Sequence, residues 1–216
     1  MTLILHGANG SPFVRKIKVM LAEKSIPHEQ NPVIPMGVSE DYKKKSPLGK
    51  IPCLEDGDYL LPDSSCIAAY LEKAYPNPPL LPAEPKPYGR ALWYEEYGDT
   101  KVIEVTTPLF FERVIKKAFL KQQPDEERIR RVIEQEQPPV FTYLEREIGD
   151  RQYLVEGRFS LADIAVVSPF VNLAHAGGVL DAKRWPRLAE YVGRITARPS
   201  FKACIEAEKA FFGAAI

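Results

Sequence analysis

The 216-residue chain is 45% apolar and 27% charged, the balance of an ordinary globular protein, with enough length for one large domain or two small ones. Lys plus Arg and Asp plus Glu each number 29, so a formal net charge of zero gives no overall field toward nucleic acid or an anionic membrane. Cys53, Cys66 and Cys204, with His6, His28 and His175, form neither a disulfide framework nor a metal-ligand spacing; a reducing, cytoplasmic setting and no metal are expected.

Leu3-Ile4-Leu5-His6 reads as a short buried strand, without the basic region and long apolar run of a signal peptide. Ser11-Pro12 then opens a helix over 11–24. A serine cap accepts a backbone N–H, and proline at the first helical position loses no bond the helix needs. Val14, Ile17, Met20 and Leu21 share one stripe of this helix, with Arg15, Lys16 and Lys18 off it. Strands are expected at 28–33, 52–55 and 59–62, a short helix at 39–45 and a helix at 64–75. The last two strands flank Asp56-Gly57-Asp58, a hairpin turn whose glycine can take positive φ. Strand, helix, strand, then a hairpin and a covering helix imply a mixed four-stranded sheet.

From Pro76 to Pro87 the chain is proline-dense and can be neither helix nor sheet interior. This divides it into residues 1–78, a linker at 79–86, and an almost wholly helical part at 87–216. A long helical stretch over 87–120 is expected to be interrupted by Gly98 and kinked near Pro108. Pro124 with Asp125, Glu126 and Glu127 opens another helix, and Pro138-Pro139 should bend it before Val140 to Ile148. Ser160 caps a further helix, with Asp163 at the third position and Phe159 placed to staple on Ile164. That segment, broken by Ser168, Pro169 and Asn172, is too short to span a bilayer. Gly177-Gly178 stops it, and Pro186 opens a last helix that ends before Pro199.

Three loops of the first part can meet at one edge of its sheet. In the first, the Ser11 hydroxyl stands at the positive end of a helix dipole, where an anion would be stabilised, although on this stretch alone a plain cap is the better reading. The second is Ser46-Pro47-Leu48-Gly49-Lys50-Ile51-Pro52. A cis Ile51–Pro52 bond would offer Ile51's backbone groups to a peptide-like ligand, while a trans proline would merely start a strand. In the third, Pro62-Asp63-Ser64-Ser65, amide groups at a helix start suit a carboxylate and Asp63 can accept from an ammonium, unless Asp63 or Ser64 serves only as a cap.

Taken in order, these stretches resemble the cytosolic glutathione transferases over the whole chain. Ser11-Pro12-Phe13-Val14-Arg15-Lys16 is similar to the serine-type catalytic loop of that family. Ser46 to Pro52, Asp63-Ser64, Ser160-Leu161-Ala162-Asp163, and Trp185-Pro186-Arg187-Leu188 with Tyr191 and Arg198-Pro199-Ser200-Phe201 match in register. The resemblance implies an α/β thioredoxin-like N-terminal domain followed by an all-α helical domain, in a homodimer. It implies that Ser11 donates to the glutathione sulfur, with Asn9 either contributing or shaping its turn. Phe13, Lys50, Ile51, Pro52, Asp63 and Ser64 would bind glutathione, which enters as co-substrate with no further cofactor.

The absence of cysteine from the first loop argues against branches that form a mixed disulfide with glutathione there, and Cys53 and Cys66 read as buried packing residues. The electrophile is expected between the domains, against Tyr94, Tyr97, Phe110, Phe111 and Phe170, although stripes of this kind also make cores. The implied activity is conjugation of glutathione to a small apolar electrophile. A glutathione-dependent peroxidase or disulfide reductase and a non-catalytic interaction module are the alternatives, and no nucleic acid or membrane partner is expected.

Overall fold

Four short strands and three helices make up the first unit, Met1–Leu81, in the computed structural model, which describes residues 2–213. The sheet order is β2-β1-β3-β4. Strand β1 (Leu3–His6) runs parallel to β2 (His28–Asn31) and antiparallel to β3 (Cys53–Asp56), which pairs with β4 (Tyr59–Pro62). The parallel pair needs a crossover, supplied by α1 (Pro12–Glu23). The β3–β4 hairpin closes through Gly57 at φ 63°. Helix α2 (Glu40–Lys45) joins β2 to β3, and α3 (Ser64–Ala74) packs against α1. Strand β2 ends at Asn31, short of the expected 33, because Pro32 has no N–H for the ladder.

Three side chains depart from expectation. Arg15 and Lys16 lie off the apolar stripe yet are only 1% and 0% exposed, with Lys16 Nζ donating to Ser65 Oγ at 3.4 Å. A long aliphatic stem can be buried where its charged head finds a polar partner. Cys66, expected inside, is exposed. The buried face of α3 is built from Ser64, Ile67, Ala68 and Leu71, which turns residue 66 outward.

The start of the proline-dense stretch is fastened to this unit. The buried Lys24 ammonium pairs with Glu72 at 2.6 Å and donates to the carbonyls of Tyr75 and Pro78, each at 2.8 Å. The Glu72 carboxylate accepts from the N–H of Leu80 at 2.9 Å and of Leu81 at 3.2 Å. One ion pair thus satisfies backbone groups that prolines prevent from pairing with each other.

Among its described residues the second unit, Pro82–Ile216, is built from helices: α4 (Pro85–Tyr97), α5 (Ile103–Phe110), α6 (Glu126–Arg131), α7 (Gln137–Ile148), α8 (Leu161–His175), α9 (Pro186–Thr196) and α10 (Pro199–Gly213). Helix α8 is buried without a break from Leu161 to Leu173 and packs on α4, α5 and α9. Its start is a capping box between Ser160 and Asp163. Asp163 also accepts from Leu154 N at 2.9 Å and from the Tyr191 hydroxyl at 2.7 Å, which ties the cap to α9. The Phe159 ring, expected on Ile164, lies against Tyr153 and under the Arg198 guanidinium.

Gly98 does not interrupt the chain's helical course. It opens a π-wound stretch, Gly98–Val102, that leads into α5. Pro108 likewise sits inside α5, which continues as a π-wound stretch, Phe111–Leu120. A wider turn is a usual way for a helix to absorb a missing N–H. Ahead of Pro138-Pro139, where a bend is expected, runs a third such stretch, Val132–Glu136, and the prolines fall in the first turn of α7, where an N–H is dispensable. Helix α10 was not anticipated beyond Pro199. Its buried Phe201, Cys204, Glu208 and Phe212 recur at helical spacing.

Candidate active site

Strand register brings the three loops together. His6, the last residue of β1, stands opposite Cys53, the first of β3, and Cys53 stands opposite Pro62, the last of β4. The loop after β1, the turn before β3 and the turn after β4 therefore leave the sheet at one edge. A backbone bond from Asp63 N to Pro52 O at 3.3 Å joins the latter two directly.

Ser11 caps α1. Its oxygen accepts from Val14 N at 3.3 Å, and that use of a lone pair leaves the hydroxyl proton to be donated. Phe13, partly buried, follows in the first turn of α1. Asn9 is held differently: its Oδ1 accepts from Lys18 Nζ at 3.0 Å and from Gln30 Nε2 at 3.2 Å. The Ile51–Pro52 bond is cis, both residues are buried, and among the described residues nothing pairs with the Ile51 N–H or C=O. Lys50 is exposed. Its carbonyl accepts from Tyr42 and Ser46, while its ammonium has no partner among the described residues.

Asp63 sits at φ 77°, a region that costs a non-glycine residue about 1–3 kcal/mol and persists where surroundings enforce it. Its Oδ1 accepts from Ser65 N at 2.9 Å and Cys66 N at 3.1 Å, capping α3. Oδ2 has no partner among the described residues, so capping uses only half of the carboxylate. Ser64 beside it is buried.

A cavity of about 550 Å³ nearby escaped the sequence reading; His6, Asn31, Met36, Tyr42 and Lys45 contribute to its lining. His6 Nδ1 lies 2.9 Å from Asn31 Nδ2 and its Nε2 lies 2.8 Å from Glu55 Oε2. The tautomer that fits both carries its proton on Nε2. Lys45 also pairs with Glu55. Hydrogen bonds from Lys45 and then His6 hold the Glu55 carboxyl below its ordinary value, while burial pushes the Cys53 thiol up. The only hint in the sequence was a histidine closing a buried strand.

Among the described residues, none of the rings of the five aromatic residues expected around an electrophile pairs with another of the five. Tyr94, Phe110 and Phe170 are buried and make their contacts inside the helical unit. The Tyr94 hydroxyl donates to Glu147 at 2.9 Å, and the rings of Phe170 and Phe110 meet Phe141 and Phe212. Those contacts place the three rings in that unit's core. Tyr97 is partly exposed and tilts on Tyr143, and Phe111 is 41% exposed beneath the Lys116 ammonium. Among the described residues no group of three or more His, Cys, Asp or Glu side chains is arranged to hold a metal ion, and no helix is long and apolar enough to cross a membrane.

Two family profiles match the chain: Glutathione S-transferase, N-terminal domain, over residues 5–79, and Glutathione S-transferase, C-terminal domain, over residues 110–208. A glutathione S-transferase of Triticum aestivum is 30% identical over 206 residues, 94% of this chain and 92% of the relative. The chain belongs to the glutathione S-transferase family. Its thioredoxin-like first unit and helical second unit are the two parts of that fold. A solved glutathione S-transferase of Methylobacterium radiotolerans, in complex with glutathione sulfonate, is similar with a TM-score of 0.76 and 32% identity over 95% of each chain. A stringent starvation protein A homolog of Coxiella burnetii is 29% identical over 199 residues, 89% of this chain and 86% of the relative. The family thus includes relatives named for an enzyme and relatives named for a starvation response.

Proposed function

We propose that this family member is a glutathione transferase that binds glutathione at the three-loop edge, stabilises its thiolate with Ser11, and joins that sulfur to a small apolar electrophile. The observation that carries the reading is the set of groups left unpaired along one sheet edge. These are the Ser11 proton, the Ile51 N–H and C=O, Asp63 Oδ2 and the Lys50 ammonium. They are complementary to a thiolate, a peptide backbone, an ammonium and a carboxylate, all of which glutathione carries.

A free thiol with a pKa of about 8.5 is only a few per cent thiolate at neutral pH, so a donated hydrogen bond and the positive end of α1 raise the amount of nucleophile. The sulfur lone pair then forms the bond to the electrophilic carbon, and the leaving group departs with its electron pair. A homodimer fits the β4 edge of the sheet, where Tyr59 and Leu60 are 47% and 37% exposed. A cytoplasmic location fits the three free cysteines.

Similarity to stringent starvation protein A homologs favours one other reading, a non-catalytic interaction module. One experiment separates them: the ultraviolet thiolate absorbance of bound glutathione, with turnover of an aryl halide and of a hydroperoxide, in wild type, Ser11→Ala and Asn9→Ala. Ser11→Ala is expected to lose the thiolate band and about 10- to 100-fold in aryl-halide kcat/KM, the worth of one hydrogen bond to a charged group. An unchanged band in that variant removes Ser11 from the mechanism, and turnover of the hydroperoxide alone points to the peroxidase branch. No binding of glutathione at millimolar concentration in wild type leaves the interaction module.

A further inference from the structure

The loop that carries Ser11 is held by a network that a glutathione site of the kind proposed above does not by itself explain. Lys18, on the second turn of α1, donates to Asn9 Oδ1 at 3.0 Å and to Gln30 Oε1 at 2.9 Å. Gln30, on β2, donates through Nε2 to Gly7 O at 2.8 Å and to Asn9 Oδ1 at 3.2 Å. Gly7 N returns a bond to Asn31 O at 2.9 Å. An ammonium can only donate, so it forces both carboxamides to present their oxygens, and neither can flip without a donor–donor clash. Asn9 is thereby fixed with its oxygen consumed twice. Its Nδ2 protons have no acceptor among the described residues.

Lys18 has no carboxylate partner among the described residues; its charge rests on two neutral amide oxygens. That charge reaches its surroundings: burial, chiefly, and then the Lys18 charge push the His28 imidazole below its usual range. A lone cation bound to a carboxamide oxygen polarises the amide and strengthens the N–H donors at its other end.

We propose that Lys18 and Gln30 are positioning residues of the thiolate site, clamping the Asn9 carboxamide so that its Nδ2 protons and the Ser11 hydroxyl serve the same anion. The inference rests on the transferase reading and adds to it a donor orientation set by residues that touch no substrate. It also gives Asn9 a defined part: Asn9 supplies the second donor, and Lys18 decides which end of the amide faces the anion.

The test is the pH titration of the thiolate band of bound glutathione in wild type, Lys18→Met, Gln30→Met and Lys18→Arg, with the thermal midpoint of each as a check on folding. Lys18→Met and Gln30→Met are expected to raise the pKa of the bound thiol by about one unit, which lowers the thiolate fraction about tenfold at pH values well below the wild-type midpoint and less near it. Aryl-halide kcat should fall in proportion and recover at high pH, with the KM for glutathione changed less than about twofold. Lys18→Arg, which still donates to both oxygens, should return the titration to near the wild-type midpoint. A stable Lys18→Met or Gln30→Met variant that titrates like wild type overturns the proposal, and if one of the two does not fold the other decides. A wild-type protein with no thiolate band fails at the earlier step and removes the transferase reading together with this one.

Discussion

Asp63 combines two duties that one substitution separates. Asn in its place keeps an oxygen for the Ser65 and Cys66 amides and tolerates the φ of 77°, but loses the charge that would meet a glutathione ammonium. Asp63→Asn is therefore expected to leave the thermal midpoint nearly unchanged while raising the KM for glutathione about tenfold, the order expected of a charge-assisted bond made neutral. Glu55 carries the pH dependence at this scale. Folding lowers its pKa below the ordinary 4.5, so the folded chain binds this proton less tightly than the unfolded one. The stability it contributes is complete above about pH 4.5 and is lost as pH falls through the lowered value. Urea midpoints measured from pH 6 to pH 3 should fall less steeply for Glu55→Gln than for wild type; parallel curves would exclude the pair with Lys45 and His6 as the cause. Residues whose partners are close in sequence could be read without the structure. Ser11 meets Val14, and Asp63 meets Ser65 and Cys66. Those whose partners arrive through the fold could not: Lys16 finds Ser65, and Gln30 finds Gly7.

At the scale of elements, the sequence marks where helices start more reliably than how they continue. Ser11, Ser160 and Pro186 each open a helix where capping chemistry requires it. Gly98, Pro108 and Pro138-Pro139 look like breaks, because propensity judges each against an unperturbed α-helix. The chain instead widens to π turns and stays helical. Gly98 has a second reason to be glycine. A Cβ built there would lie 2.7 Å from the Ala165 carbonyl carbon and oxygen, on the backbone of α8. Backbone cannot swing aside as a flexible side chain does. Gly98→Ala should therefore destabilise the protein by about 1–3 kcal/mol through overpacking, although alanine is the better helix former by about 1 kcal/mol. A urea midpoint at or above the wild-type value would show that α8 gives way without cost.

For the whole molecule, composition and proline placement made a two-part chain with a mixed sheet and a helical remainder legible, since both follow from local periodicity. What periodicity does not carry is which charged residues turn inward. Lys24 reads as an ordinary lysine at a helix end, yet it is the buried fastener between Glu72 and the Tyr75 and Pro78 carbonyls. Removing one partner of such a pair leaves the other uncompensated, at a cost of about 3–5 kcal/mol. Its consequence reaches into how the chain can be cut. Between Tyr75 and Pro87 the bonds after Tyr75, Leu81, Glu84 and Lys86 all precede proline, which blocks the proteases that would choose those side chains. Leu80–Leu81 is the one bond left to a chymotrypsin-like enzyme, and there the Glu72 carboxylate holds both N–H groups while both side chains are buried. In Lys24→Met the Leu80–Leu81 bond should become the earliest nick under brief chymotrypsin treatment, yielding two fragments that intact-mass measurement can size; wild type should pass the same treatment uncut at that seam.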